Sequence, residues 1–194
     1  MNAEKIAEQA EHGDNRKVDR IFLTGFMGSG KTTVGPILAN TLGFDFFDVD
    51  KVIEKRTERT VVDIFLSQGE GTFRSIEREV LVDIAERTNC VISLGGGTIA
   101  NEQNFKFIKD RGIIVYLQLS EDEIIKRVRH RPDRPLLHDT EGGLLSGEKL
   151  EAKVRALLHA REPYYHMSDL IIPSHERKVG YTVDAIVKGL RKVR

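Results

Sequence analysis

A short apolar run, Ile21-Phe22-Leu23-Thr24, passes directly into Gly25-Phe26-Met27-Gly28-Ser29-Gly30-Lys31-Thr32, and no other stretch constrains the fold as strongly. Gly25, Gly30, Lys31 and Thr32 fill every fixed position of the G-x-x-x-x-G-K-[ST] phosphate loop. Backbone N–H groups converge on a polyphosphate only where the chain curls tightly with no Cβ in the way, and Gly25, Gly28 and Gly30 permit that curl. A helix predicted from Lys31 to about Leu42 aims its positive end at the same anion. Gly28, Ser29, Gly30, Lys31, Thr32 and Thr33 are therefore the candidate ATP-binding residues. Lys31 would reach the β- and γ-phosphates, and Thr32 would offer its hydroxyl to Mg2+. An ordinary glycine turn is the alternative, but the strand before it and the helix after it favour a ligand. The loop leaves the reaction open among GTPase, ATPase, nucleotide kinase and small-molecule kinase.

Downstream, strand-like and helix-like segments alternate. Phe44-Asp45-Phe46-Phe47-Asp48-Val49-Asp50 reads as a short edge or half-buried strand, with a helix starting near Lys51. Thr60 can cap the next helix; Gly69 and Gly71 predict a break, after which Thr72 opens a long amphipathic helix built on Phe73, Ile76, Val80, Leu81 and Ile84. Arg74, Glu77 and Arg78 are left toward its other faces. Val91-Ile92-Ser93-Leu94 and Ile113-Ile114-Val115-Tyr116-Leu117 are buried strands, separated by a helix over Asn101 to Asp110. Ser120 and Glu123 form a capping box. The aperiodic segment from about 130 to 147 predicts a mobile flap. A helix from about Glu148 to Arg161 stops before Pro163, Leu170-Ile171-Ile172 is a last strand, and a helix over Gly180 to Lys192 closes the chain. The alternation predicts an α/β three-layer sandwich of the P-loop NTPase type: a five-stranded parallel sheet with helices on both faces. Ligands of such sheets lie beyond the strands' carboxyl ends, where Gly25, Asp48, Asp50 and Gly95 should converge.

With 194 residues, one domain over 20–194 is expected, preceded by a polar tail over 1–19. The 30 basic residues balance the 30 acidic ones, so neither nucleic acid nor an anionic membrane is an expected partner. A single cysteine, Cys90, excludes a disulfide framework and fits a reducing cytoplasm. No apolar run approaches the roughly 20 residues of a membrane span.

Many phosphate-loop proteins hold magnesium with a carboxylate ending a second buried strand, but here Val91–Leu94 runs into Gly95-Gly96-Gly97. Asp48 and Asp50, two apart at a strand end, would share one side of the pleat. One would sit near hydrated magnesium and the other beside an acceptor hydroxyl whose proton it could take. Helix capping by Asp50 with Asp48 in solvent is the alternative. The glycine triplet would let a ligand approach bare backbone.

Taken together, the chain from Ile21 onward resembles the shikimate kinases, small members of the nucleoside-monophosphate-kinase-like group. The likeness rests on ordered pieces: the loop Gly25–Thr33, Asp48-Val49-Asp50, Phe73-Arg74-Ser75-Ile76-Glu77, Leu94-Gly95-Gly96-Gly97, Arg134-Pro135-Leu136-Leu137 and, more loosely, Arg161-Glu162-Pro163-Tyr164-Tyr165. The resemblance implies transfer of the ATP γ-phosphoryl group to the 3-hydroxyl of shikimate, with Mg2+, by a monomeric cytoplasmic enzyme. It assigns the substrate's carboxylate to Arg74 and Arg161, its hydroxyls and the role of base to Asp50, and its ring to Gly95, Gly96 and Gly97. Thr32 and Asp48 would hold the metal, with Ser93 in the outer shell. Lys31, Asp50 and Arg134 form the implied catalytic set, Arg134 closing from the flap onto the transferring phosphate. For adenine, Arg127, Arg129 and Arg131 compete, Arg131 being taken, and the loop over Pro173 to Lys178 supplies Arg177. A gluconate-kinase-like enzyme and a nucleotide-binding module without turnover are the rival readings.

Overall fold

Ile21, Phe22 and Leu23 are fully buried because their strand, β1 (Arg20–Thr24), lies in the middle of the sheet. The other strands are β2 (Asp45–Asp48), β3 (Cys90–Ser93), β4 (Ile113–Gln118) and β5 (Leu170–Pro173). They are ordered β2-β3-β1-β4-β5, and every pairing is parallel. The computed structural model describes residues 18–129, 135–137, 143–174 and 178–193. Most of the 1–19 tail thus lies outside the described residues, as do Arg131 and Arg134 of the expected flap and Arg177.

Side chains alternate across each strand, and so define two cores. Ile21 and Leu23 join Val91, Val115 and Leu117 beneath α1 (Lys31–Leu42) and α7 (Val179–Leu190). Phe22 joins Ile92, Ile114 and Tyr116 on the opposite face. That face is covered by α2 (Val49–Thr57), α3 (Val61–Ala85), α4 (Glu102–Lys109), α5 (Glu121–Val128) and α6 (Gly147–His166). The predicted three-layer arrangement with a five-stranded parallel sheet is therefore the one observed.

Three expectations need correction. The strand ending in Asp50 is shorter than expected: β2 stops at Asp48, which caps α2 by accepting the Lys51 N–H at 3.3 Å, and Asp50 lies in the first helical turn. The break at Gly69–Gly71 is a kink within α3, since Gly69 alone adopts φ 82° and ψ 167° and helix resumes directly. Two helical glycines cost about 1 kcal/mol each, but packing across the kink, including a Phe65–Phe73 ring contact at 4.6 Å, offsets them. Helix α6 continues through Pro163 to His166. Proline removes one backbone bond there, and the turn it would have ended carries Tyr165, fully buried and stacked on Tyr116 at 4.9 Å.

Candidate active site

Between β1 and α1 the chain turns through Gly25, Gly28 and Gly30 at φ 142°, 82° and 95°, so the glycine spacing is used as predicted. Gly30 is the N-cap of α1 and brings no side chain to satisfy the helix's first amides, which suits an anion there. The loop borders a cavity of about 600 Å³ onto which Gly28, Gly30, Lys31, Thr32 and Thr33 open. Lys31 Nζ donates to the carbonyls of Gly25 at 2.7 Å and Phe26 at 3.1 Å. Ser29 faces inward: it is fully buried, its N–H donates to Phe26, and its carbonyl accepts the Ser174 hydroxyl at 3.2 Å.

Asp48 and Asp50 reach this cavity together although they do not share a pleat, because the start of α2 turns Asp50 back across the strand ends. Thr32 donates its hydroxyl to Asp48 Oδ2 at 3.3 Å, and Ser93 stands opposite Asp48 in the β2–β3 register. Hard oxygen donors at the rim of a phosphate-sized cavity fit a magnesium ion that keeps most of its ligands as water and phosphate.

A second, smaller cavity of about 70 Å³ opens alongside, walled by Phe65 and Phe73 and lined by Arg74, Glu77, Gly97 and Arg161. Met27, Asp50, Gly95 and Gly96 line both cavities. Arg74 is held on two edges: Nη1 donates to Glu77 at 2.8 Å, and Nη2 and Nε donate to Glu70 at 2.9 and 3.2 Å. Burial works to lower the pKa of Arg74, but the charges and bonds of Glu77 and Glu70 outweigh it and leave it raised. Glu77 is itself 1% exposed and also accepts the Thr98 hydroxyl at 2.6 Å. A Cβ on Gly97 would lie 2.7 Å from Arg74 Nη2, so glycine is what lets the guanidinium stand against the turn. Arg161, 6% exposed, projects from α6 over the Phe26 ring at 5.6 Å.

The structure thus brings together Lys31, Thr32, Asp48, Asp50, Arg74, Gly95, Gly96, Gly97 and Arg161 around two joined cavities. Arg134, Arg131 and Arg177 lie outside the described residues. Of the arginines competing for adenine, Arg127 borders the nucleotide-sized cavity and donates to the Gly28 carbonyl at 3.0 Å. Arg129 turns away to pair with Glu151 at 3.5 Å. Glu77 was missed as a site residue, although its place three residues after Arg74 on one helix carried the signal. Nothing in the sequence separated Arg127 from Arg129 and Arg131, since only the fold sets it against Gly28.

Comparison with known proteins decides the class. The sequence profile of shikimate kinase matches residues 27–191. The chain belongs to the shikimate kinase family. A shikimate kinase of Chlorobium phaeobacteroides is 41% identical over 172 residues, covering 89% of this chain and 90% of that protein. The structure of a shikimate kinase from Acinetobacter baumannii in complex with shikimate superposes with a TM-score of 0.82 at 35% identity, covering 91% of this chain and 95% of that one. A gluconokinase from Sinorhizobium meliloti matches with a TM-score of 0.55 at 18% identity, over 92% of this chain and 94% of that one, which shows a shared fold alone. Membership of the shikimate kinases makes this protein an ATP-dependent kinase, and the gluconate-kinase reading has no support beyond architecture. Among the described residues no helix is long and apolar enough to cross a membrane.

Proposed function

We propose that the protein transfers the γ-phosphoryl group of ATP to the 3-hydroxyl of shikimate, releasing ADP and shikimate 3-phosphate, with Mg2+ at Thr32 and Asp48. The observation that carries this reading is the position of Asp50 on the seam between the phosphate-loop cavity and the arginine-lined one. A polyol carboxylate held by Arg74 and Arg161 in the smaller space would present a hydroxyl to Asp50 and to the end of the triphosphate. Planar guanidinium groups suit the carboxylate because each can bond both oxygens. The acceptor oxygen then forms a bond to the γ-phosphorus as the bridging P–O bond to ADP breaks, and the hydroxyl proton passes to Asp50. Lys31, released from the Gly25 and Phe26 carbonyls, neutralises charge on the transferring group. Mg2+ would supply further charge neutralisation at the phosphates.

From the family pattern, Arg134 closes over the same phosphate and Arg131 takes one face of adenine; Arg127, which borders the cavity, is the described arginine placed for that second role. Cytoplasmic location and a monomeric state complete the reading, with neither nucleic acid nor membrane as partner. A coupled ADP-release assay with shikimate or gluconate as acceptor tests it. ADP release should depend on shikimate and Mg2+. Turnover with gluconate in preference, or release indifferent to either acceptor, would overturn it.

A further inference from the structure

Asn104 lines neither of the two joined cavities, yet it is a polar side chain only 6% exposed. Its backbone is fixed at the start of α4, where the Asn101 side chain caps the helix by accepting the Asn104 N–H at 3.1 Å. Its amide is used on both sides: Arg78 Nη1 donates to Oδ1 at 2.9 Å, and Nδ2 donates to the Thr98 carbonyl at 2.9 Å. A guanidinium only donates and a carbonyl only accepts, so these two partners fix which way the amide points. Aspartate has the same size but brings no donor for the carbonyl.

Thr98 carries the contact into the site. It is fully buried, held to Asn104 by its carbonyl, and donates its hydroxyl to Glu77 Oε1 at 2.6 Å. The other oxygen of Glu77 takes Arg74 Nη1 at 2.8 Å. A continuous chain of hydrogen bonds therefore runs from α4 to an arginine of the smaller cavity. Thr98 Oγ1 and Glu77 Oε1 stand directly against Gly95, 2.9 and 2.8 Å from where a Cβ would lie, and Asp50 Oδ1 is 3.2 Å from the same point. In a buried polar network each bond depends on its neighbours, so a Thr98 carbonyl left without a donor is costly and shifts the turn that sets Glu77.

We infer that Asn104 is a positioning residue for acceptor binding: through Thr98 and Glu77 its amide holds Arg74 in the pose that meets the substrate's carboxylate. The inference rests on the reading of Arg74 as a carboxylate ligand. Asn104→Asp keeps the size and the acceptor for Arg78 but removes the donor to Thr98. It should raise the KM for shikimate about fivefold, the scale of one neutral hydrogen bond, with kcat within about threefold and the KM for ATP unchanged. Arg78→Met removes the bond on the other side of the same amide and should leave the KM for shikimate within about twofold of wild type.

A double-mutant cycle checks the route. Thr98→Val keeps the shape, cuts the bond to Glu77 and should by itself raise the KM for shikimate; adding Asn104→Asp should then change that KM by less than about twofold. Thermal melts on every variant separate folding from binding, and if Asn104→Asp does not fold, Asn104→Ala carries the same test with the same outcomes. An unaltered KM for shikimate in the Asn104 variant, an equal rise in Arg78→Met, full additivity in the cycle, or equal losses for both substrates would each overturn the inference. An unaltered KM for shikimate in Arg74→Ala, when the wild-type protein phosphorylates shikimate, would instead remove the carboxylate assignment on which the inference rests, and the inference with it.

Discussion

Replacing Glu77 by Gln probes how the smaller cavity is held in shape. The carboxylate is 1% exposed and takes bonds from Arg74 Nη1 at 2.8 Å and Thr98 Oγ1 at 2.6 Å. Glutamine matches its size but offers one accepting oxygen where there were two, so one donor loses its partner and the arginine loses a buried counter-charge. Bonds to charged groups contribute about 1.5–3 kcal/mol against about 1 kcal/mol for neutral ones, which places the loss at about 1–2 kcal/mol. It stays below the roughly 3–5 kcal/mol of a stranded buried charge because the Arg74 side chain is 30% exposed and keeps Glu70. For a domain of this size the melting temperature should fall by about 2–8 °C. A less constrained Arg74 should also raise the KM for shikimate about fivefold while the KM for ATP stays put. Thermal melts and steady-state kinetics on the purified variant read both effects. Wild-type stability together with a wild-type KM would refute the idea that this buried pair shapes the acceptor site.

Three further outcomes follow from the same geometry. Asp50→Asn should lower kcat by about 10²–10⁴-fold with ATP affinity retained by calorimetry, and near-normal turnover would remove Asp50 as the base. Glu70, 53% exposed, occupies the Nε and Nη2 edge of Arg74 that a substrate carboxylate would use, so Glu70→Gln should lower the KM for shikimate about twofold, the scale of an exposed helical ion pair; a higher KM would show that Glu70 assists. Burial pushes the Cys90 thiol up to about 11, so at pH 8 only about one thiol in a thousand is ionised. Iodoacetamide at that pH should therefore label Cys90 in urea and leave it unlabelled in the native protein, as mass spectrometry would show.

The parts of this site that could be read in the sequence are those whose chemistry is local. The phosphate loop carries its glycines, lysine and threonine within a single strand–turn–helix, and the structure uses them there. The buried strands were visible as short apolar runs because both faces of a parallel sheet are covered. Side chains whose meaning depends on long-range packing were harder. Asp48 and Asp50 meet at one cavity for a different reason from the expected pleat, since a cap and a helical turn bring them there. Gly69 and Pro163 signal breaks on local propensity, and the Phe65–Phe73 contact and the buried Tyr165 override them. The inward role of Glu77, and the choice of Arg127 over Arg129 beside the phosphate loop, depend on Thr98 and Gly28 arriving from distant elements.

The two cavities share Asp50 as their meeting point. A crystal structure with ADP, Mg2+ and shikimate bound tests it most directly. The carboxylate should lie on Arg74 and Arg161, and the 3-hydroxyl within hydrogen-bond distance of Asp50 facing the nucleotide phosphates. Shikimate bound elsewhere, or turned so that its carboxylate faces Lys31 while Asp50 touches no hydroxyl, would contradict it.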